Sequence, residues 1–170
     1  MRTRETKETA PAAQEGGPLA IDYIFHPRSV AVVGATLPQF GPGGMGSGFL
    51  IAQKDMGFEG GIYPVNPKYQ EIEGLKCYPS LLDIPEPVDH VIFAVPAHVV
   101  PQVIEDCIAK GVKSIHFFTA GFSETGEEEA AELERQVVQR AREAGIRLIG
   151  PNCMGLYCPA AKIAFMPSFP

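Results

Sequence analysis

No stretch of this sequence stays apolar for the roughly 18–20 residues that a membrane-spanning helix needs, and no stretch concentrates lysine and arginine. Fourteen Lys and Arg stand against twenty Asp and Glu, a formal net charge of −6. That balance disfavours bulk attraction to nucleic acid or to an anionic membrane. A small anionic ligand stays open, because screening over about 8–10 Å lets local donors outweigh the global field. The N-terminal stretch lacks the hydrophobic segment of a secretory signal, and Glu5, Glu8 and Glu15 among Arg2, Arg4 and Lys7 argue against a transit peptide. Residues 1–18 are expected to form a disordered arm. Cysteine is sparse: Cys77, Cys107, Cys153 and Cys158 include no C-x-x-C pair, so reduced thiols in a cytoplasmic protein are expected. Metal-ligand clusters, a Walker-type lysine and internal repeats are all missing.

What is present suits one globular domain. The chain has 170 residues and is 45% hydrophobic, enough for a core without staples. Eighteen glycines and sixteen prolines lie above ordinary usage of about 12%, yet below the ~25–30% that marks a disordered chain. From Leu19 onward strands and helices alternate. The β-branched run at 29–34 suits a strand buried on both faces. A helix is expected from Gly48 to a stop at Gly57, and a second strand at 61–67, whose prolines favour a place near the sheet edge. A brief extended piece at 75–79 and a helical turn at 80–83 precede a third strand at 89–96. The spacing of Val100, Val103, Ile104, Cys107 and Ile108 predicts an amphipathic helix ending at Lys110-Gly111. A fourth strand follows at 114–119. A long helix is expected within 123–145, with Ala130, Leu133, Val137, Ala141 and Ala144 inward, and a fifth strand at 146–150. Such alternation predicts an α/β, Rossmann-like, doubly wound and mainly parallel five-stranded sheet with helices on both faces.

In such a sheet, ligands sit beyond the carboxyl ends of the strands, where strand order reverses. The loops there are rich in small residues, which let backbone N–H groups approach a ligand closely. After the first strand come Gly34, Ala35 and Thr36, then a cluster containing Gly41, Gly43, Gly44, Gly46 and Gly48, then a helix. This order resembles a phosphate cradle, although the G-x-G-x-x-G at Gly41, Gly43 and Gly46 starts later than the dinucleotide fingerprint should. After the second strand, Asn66, Pro67 and Lys68 stand where an NAD site carries an acid. A lysine there favours an additional ribose phosphate, as in NADP or coenzyme A, and both remain open on these residues.

Several ordered motifs resemble one family. They are Phe25-His26-Pro27-Arg28-Ser29 leading into Val30-Ala31-Val32-Val33-Gly34-Ala35; Ile62-Tyr63-Pro64-Val65-Asn66-Pro67-Lys68; Gly74-Leu75-Lys76-Cys77-Tyr78-Pro79-Ser80-Leu81; Ala120-Gly121-Phe122-Ser123-Glu124; and Gly150-Pro151-Asn152-Cys153-Met154-Gly155. Together they are similar to the N-terminal CoA-binding domain of NDP-forming acyl-CoA synthetases, relatives of the succinyl-CoA synthetase alpha subunit. The resemblance implies coenzyme A across the carboxyl ends of the sheet. It implies phosphates at Gly34, Ala35 and Thr36 with Gly46 and Ser47, a basic contact at Lys68 beside Asn66 and Pro67, and an adenine and pantetheine path along Val95, Pro96, Thr119, Ala120 and Gly121. It places Asn152 and Cys153 in the loop facing the thiol. The loop at 36–48 is longer than the alpha subunit's glycine turn, and Ala120 replaces the acid of that subunit's motif.

The same resemblance implies that catalysis belongs elsewhere, on a phosphohistidine domain and an ATP-grasp portion that 170 residues do not accommodate. Among the histidines, His116 falls mid-strand, His26 precedes a proline, His90 begins a strand, and only His98 stands at the ligand edge. No carboxylate partner is identifiable for any of them, so no acid–base pair and no catalytic residue are expected. Cys153, in a glycine-bounded loop, is a nucleophile candidate in isolation, but the resemblance implies that the loop shapes the site. The expectation is a CoA-binding domain at 19–158, with 159–170 opening a linker, serving an acid–CoA ligase. A stand-alone CoA- or nucleotide-sensing module, an NADP-dependent oxidoreductase domain and a protein acyltransferase module stay open.

Overall fold

The structure, a computed structural model, describes residues 21–38 and 45–165. The arm expected at 1–18 and the glycines Gly41, Gly43 and Gly44 lie outside the described residues. Strand β1, Ser29–Val33, is buried at every position, because it has neighbours on both sides and layers on both faces. It pairs in parallel with β2, Gly61–Val65, and with β5, His90–Phe93. Beyond β5 come β6, Ser114–Phe117, and β7, Arg147–Ile149, again parallel. The order is β2-β1-β5-β6-β7, the five-stranded doubly wound sheet that the alternation predicts. Pro64 lies in β2 at the sheet edge, where its missing N–H costs no ladder bond. The expected extended piece at 75–79 flanks that edge. Its first residues form β4, Leu75–Lys76, paired with β3, Glu71–Ile72, and Tyr78 N–H donates to the Pro64 carbonyl at 2.9 Å.

Two hydrophobic layers sandwich the sheet. On one face, α3 (Val100–Lys110), α4 (Glu128–Glu143) and the turn at Leu81–Asp83 pack Val103, Ile104, Cys107, Val137, Ala141 and Leu81 onto Ala31, Val33, Val91, Phe93, Ile115 and Phe117. On the other, α2 (Met45–Asp55) and residues 156–165 cover Val30, Val32 and Ile92. Alternate strand residues feed alternate layers, as a pleated strand requires.

Three helix boundaries differ from expectation. Helix α2 starts at Met45, three residues early, because its glycine-rich first turn has low intrinsic propensity and is held by packing on the Gly34 loop. Helix α4 starts at Glu128; Ser123–Thr125 is a separate short turn, and Glu127 is extended. Ala144, expected inward, is exposed, since the helix ends at Glu143 and Gly145, at φ 75°, turns the chain so that Ile146 takes the buried position. A short helix α1, Asp22–Phe25, docks against β6, where Ser114 Oγ donates to the Tyr23 carbonyl at 3.1 Å.

At the amino edge of the sheet, Asp89 binds Arg28. Its carboxylate accepts from the Arg28 backbone N–H at 3.0 Å, from Nε at 2.8 Å and from Nη2 at 2.9 Å. These bonds hold the Asp89 carboxyl below the usual carboxylate range, and they brace the end of the sheet opposite the ligand edge.

Candidate functional site

Strand order reverses between β1 and β5: β1 leads through α2 to β2 on one side, and the chain then crosses to β5 on the other. Gly34 sits at that point with φ 89°, and a Cβ on it would lie 2.3 Å from the Ala94 carbonyl oxygen. Only glycine lets the two strand ends close up there. Gly46, in the first turn of α2, rests on the same loop; a Cβ there would be 2.6 Å from the Gly34 carbonyl oxygen. The helix N-terminus is thus seated directly on the turn that leaves β1.

Asn66 ties this turn to the next. Its Nδ2 donates to the Ala35 carbonyl at 2.8 Å, and its Oδ1 accepts from Lys68 N–H at 2.9 Å. Lys68 is thereby carried on a fixed turn with its side chain exposed. Between this corner and α3 opens a cleft of about 520 Å³. Gly34, Thr36, Asn66, Pro67, Lys68, Val95 and Pro96 from the expected set all line it. Ala35, Gly46 and Ser47 do not: all three are buried beside it.

The remaining expected residues cluster at the ends of β6 and β7, beside this cleft. Thr119 is buried, and its hydroxyl donates to the Val95 carbonyl at 2.8 Å, locking the ends of β5 and β6 together. Ala120 is exposed, and Gly121, at φ 99°, donates its N–H to Glu124 at 2.7 Å. Asn152 adopts φ 48°, a conformation asparagine tolerates, and its N–H donates to the Thr119 carbonyl at 3.0 Å. Cys153 is half-buried, and its N–H donates to the Phe117 carbonyl at 3.1 Å. The 150–155 loop is thus strapped onto β6.

His116 completes the strap from below. Its Nε2 donates to the Cys153 carbonyl at 2.6 Å, so the ring engages the backbone of that residue and not its thiol. Beside it in the same layer, His90 uses Nδ1 to reach Ser114 Oγ at 2.8 Å. Because that hydroxyl spends its one hydrogen on Tyr23, His90 must be the donor and carries its proton on Nδ1. Burial, and secondarily the neighbouring His116, push His90 down to about 3; burial likewise lowers His116. Both rings are therefore neutral at pH 7 and structural. His98, exposed on the turn Ala97–Val99, does not line the cleft.

Sequence reasoning missed the outer half of the cleft. Pro79, Ser80 and Leu81 form one wall, and Val99, Gln102, Val103 and Asp106 of the α3 side form the other. The motif ending at Pro79-Ser80-Leu81 enters the resemblance without a ligand contact assigned to it, and the i, i+4 pair of Gln102 and Asp106 resembles an ordinary solvated helix edge.

A parallel sheet reversed at Gly34, with a helix N-terminus over that turn and an apolar slot beside it, defines a nucleotide-binding domain of Rossmann architecture. The chain belongs to the CoA-binding domain family: the family model described as "CoA binding domain" matches residues 28–159. The chain is 48% identical over 133 residues to acetate–CoA ligase [ADP-forming] II of Archaeoglobus fulgidus, which covers 78% of this chain and 19% of that enzyme. Over 149 residues it is 42% identical to the alpha subunit of acetate–CoA ligase [ADP-forming] I of Pyrococcus furiosus, covering 85% of this chain and 31% of that subunit. Among solved structures, the apo dinucleotide forming acetyl-coenzyme A synthetase 1 of Ca. Korarchaeum cryptofilum superposes with a TM-score of 0.76 at 40% identity, covering 86% of this chain and 31% of that one. A hypothetical protein from Pyrococcus horikoshii superposes with a TM-score of 0.57 at 28% identity, covering 88% of this chain and 94% of that one. The chain is therefore a CoA-binding domain that spans 19–31% of the curated ligases named here. No helix among the described residues is long and apolar enough to cross a membrane.

Proposed function

We propose that this domain holds coenzyme A for an ADP-forming acid–CoA ligase, presenting the thiol to catalytic parts that lie outside these residues. The observation that carries the reading is the cleft at the strand-order reversal, with Gly34 at its floor and Lys68 at its mouth. The residues present fit the ligand. Gly34, lacking a Cβ, keeps the ends of β1 and β5 closed up beneath the cleft, the first turn of α2 seated on it would offer N–H donors to a pyrophosphate, and Lys68 would supply a cation for the ribose 3′-phosphate. Pro79, Leu81, Val95 and Val99 supply the apolar walls that a purine needs. The pantetheine would follow Thr119, Ala120 and Gly121 toward the loop containing Asn152 and Cys153. Bound coenzyme A supplies the thiol that accepts the acyl group; this chain binds, orients and shields. The chain spans 19–31% of the ligases named above, and binding without turnover is the behaviour expected of it alone. The four free cysteines fit a reducing, cytoplasmic setting, and the net charge of −6 disfavours nucleic acid as a partner.

A second reading, a self-standing CoA-responsive module, is favoured by the short Pyrococcus horikoshii protein, of which this chain covers 94%. Thermal denaturation with CoA, dephospho-CoA, NADP, NAD and ATP side by side tests the ligand. CoA at 100 times its Kd should stabilise the fold by about 2.7 kcal/mol. A shift with NADP and none with CoA would overturn both readings. Lys68→Ala should weaken CoA about tenfold and dephospho-CoA little; equal losses would remove Lys68 from the 3′-phosphate.

A further inference from the structure

Of the side chains lining the cleft, two are charged, and they carry opposite signs: Lys68 at the β2 corner and Asp106 on α3. Asp106 is half-buried. It lies six residues past Val100, where α3 begins at the ligand edge, which at 1.5 Å per residue is about 9 Å down the helix. Gln102, one turn earlier, donates from Nε2 to Asp106 Oδ1 at 3.1 Å. That bond orients the carboxylate and occupies one of its oxygens. The walls between the two charges are Pro79, Leu81, Val99 and Val103.

We infer that Asp106, oriented by Gln102, selects the base of the bound nucleotide by accepting a hydrogen bond from an exocyclic amino group. The inference rests on the CoA reading and adds to it a determinant of base specificity. A carboxylate repels phosphate, so the phosphates belong at the Lys68 end and the base in the apolar slot toward Asp106. An ionised carboxylate only accepts hydrogen bonds. Adenine offers it an amino group, whereas a 6-oxo purine places an acceptor against an acceptor. Sites that pair with a specific donor reject analogues lacking it strongly, because a polar group is then left unpaired. Gln102 is a positioning residue here.

The test measures, by calorimetric titration, the affinities of CoA and of its hypoxanthine (deamino) analogue for the whole chain. The unmodified protein should prefer CoA at least tenfold. Asp106→Asn, which can turn a donor toward the 6-oxo group, should bring the ratio to within about twofold of unity, and Gln102→Ala should lower it part of the way. Thermal melts of the unliganded variants report whether each is folded. An unchanged ratio in folded Asp106→Asn would overturn the inference and leave the CoA reading standing. So would an equal loss of both ligands, which would mean that Asp106 meets the ribose. Failure of the unmodified protein to bind either ligand would overturn the CoA reading and this one with it.

Discussion

Gly34 shows how one residue couples fold to ligand edge. Its φ of 89° and the 2.3 Å approach of a virtual Cβ to the Ala94 carbonyl mean that any side chain pushes β1 from β5 where the cleft begins. Gly34→Ala should cost about 2–4 kcal/mol, combining left-handed strain with overpacking, and should lower CoA affinity at least tenfold. Urea denaturation and titration check both; a variant with unchanged affinity would detach this corner from the ligand. The buried histidines predict a pH response. His90 is held neutral down to about pH 3, while unfolded histidine takes a proton near pH 6.5. The unfolded chain then binds more protons between those values, so stability is full above about pH 6.5 and falls as pH drops. For His90 the loss between pH 7 and pH 5 is roughly 2 kcal/mol, and His116 adds to it in the same direction. Below about pH 4, protonation of Asp89 adds a further loss, because its carboxyl is depressed by Arg28. Urea midpoints measured from pH 7.5 to 5 should fall for the unmodified chain and fall less for His90→Asn; parallel curves would remove His90 from the acid limb.

At the scale of elements, the alternation of strand-like and helix-like segments located every strand of the main sheet, and β1 was the plainest, because a strand buried on both faces leaves a β-branched run. The edge position of β2 was legible from the prolines of its segment, since a central strand would lose a ladder bond at Pro64. What stayed hidden was decided by contacts between distant segments. The first turn of α2 runs through Met45, Gly46 and Ser47, ahead of the start expected at Gly48, and it is helical because Gly46 lets it settle on Gly34. The glycine-bounded loop at 150–155 was legible as a ligand-edge loop, yet nothing local shows that His116 holds it from beneath. The outer wall of the cleft was illegible for a similar reason: Ser80 and Leu81 meet α3 only after the chain has crossed the sheet. The Arg28–Asp89 clip joins residues 61 apart in sequence and lies at the amino edge, away from the cleft. Asp89→Ala should therefore lower the urea midpoint at pH 7 and leave CoA affinity unchanged. A matched loss of affinity would mean that strain passes along β1 and β5 to the ligand edge.

On the scale of the whole molecule, the question is where the packed unit stops. Residues past Cys158 fold back over the sheet face that α2 only partly covers. Ile163 and Ala164 are 3% and 4% exposed, Cys158 and Ile163 form an isolated bridge, and Ala164 exchanges hydrogen bonds with the buried side chain of Gln53. Phe165 lies against Gly155, close enough that a Cβ on that glycine would meet the phenylalanine's Cβ at 2.7 Å. The returning segment therefore closes the second hydrophobic layer and also backs the loop facing the proposed thiol end. We propose that the folding unit extends to Phe165. A chain ending at Cys158 should lose about 2–4 kcal/mol relative to one ending at Phe165, the scale expected for one buried isoleucine plus the apolar surface it covers. Because Phe165 supports Gly155 and the Lys68 corner lies across the sheet, the shorter chain should lose affinity for CoA while keeping that for 3′,5′-ADP, which has the nucleotide half without pantetheine. Calorimetry with the two ligands on both chains reads the split. Equal stability would show that the unit ends at Cys158, and equal losses for the two ligands would separate the returning segment from the thiol end.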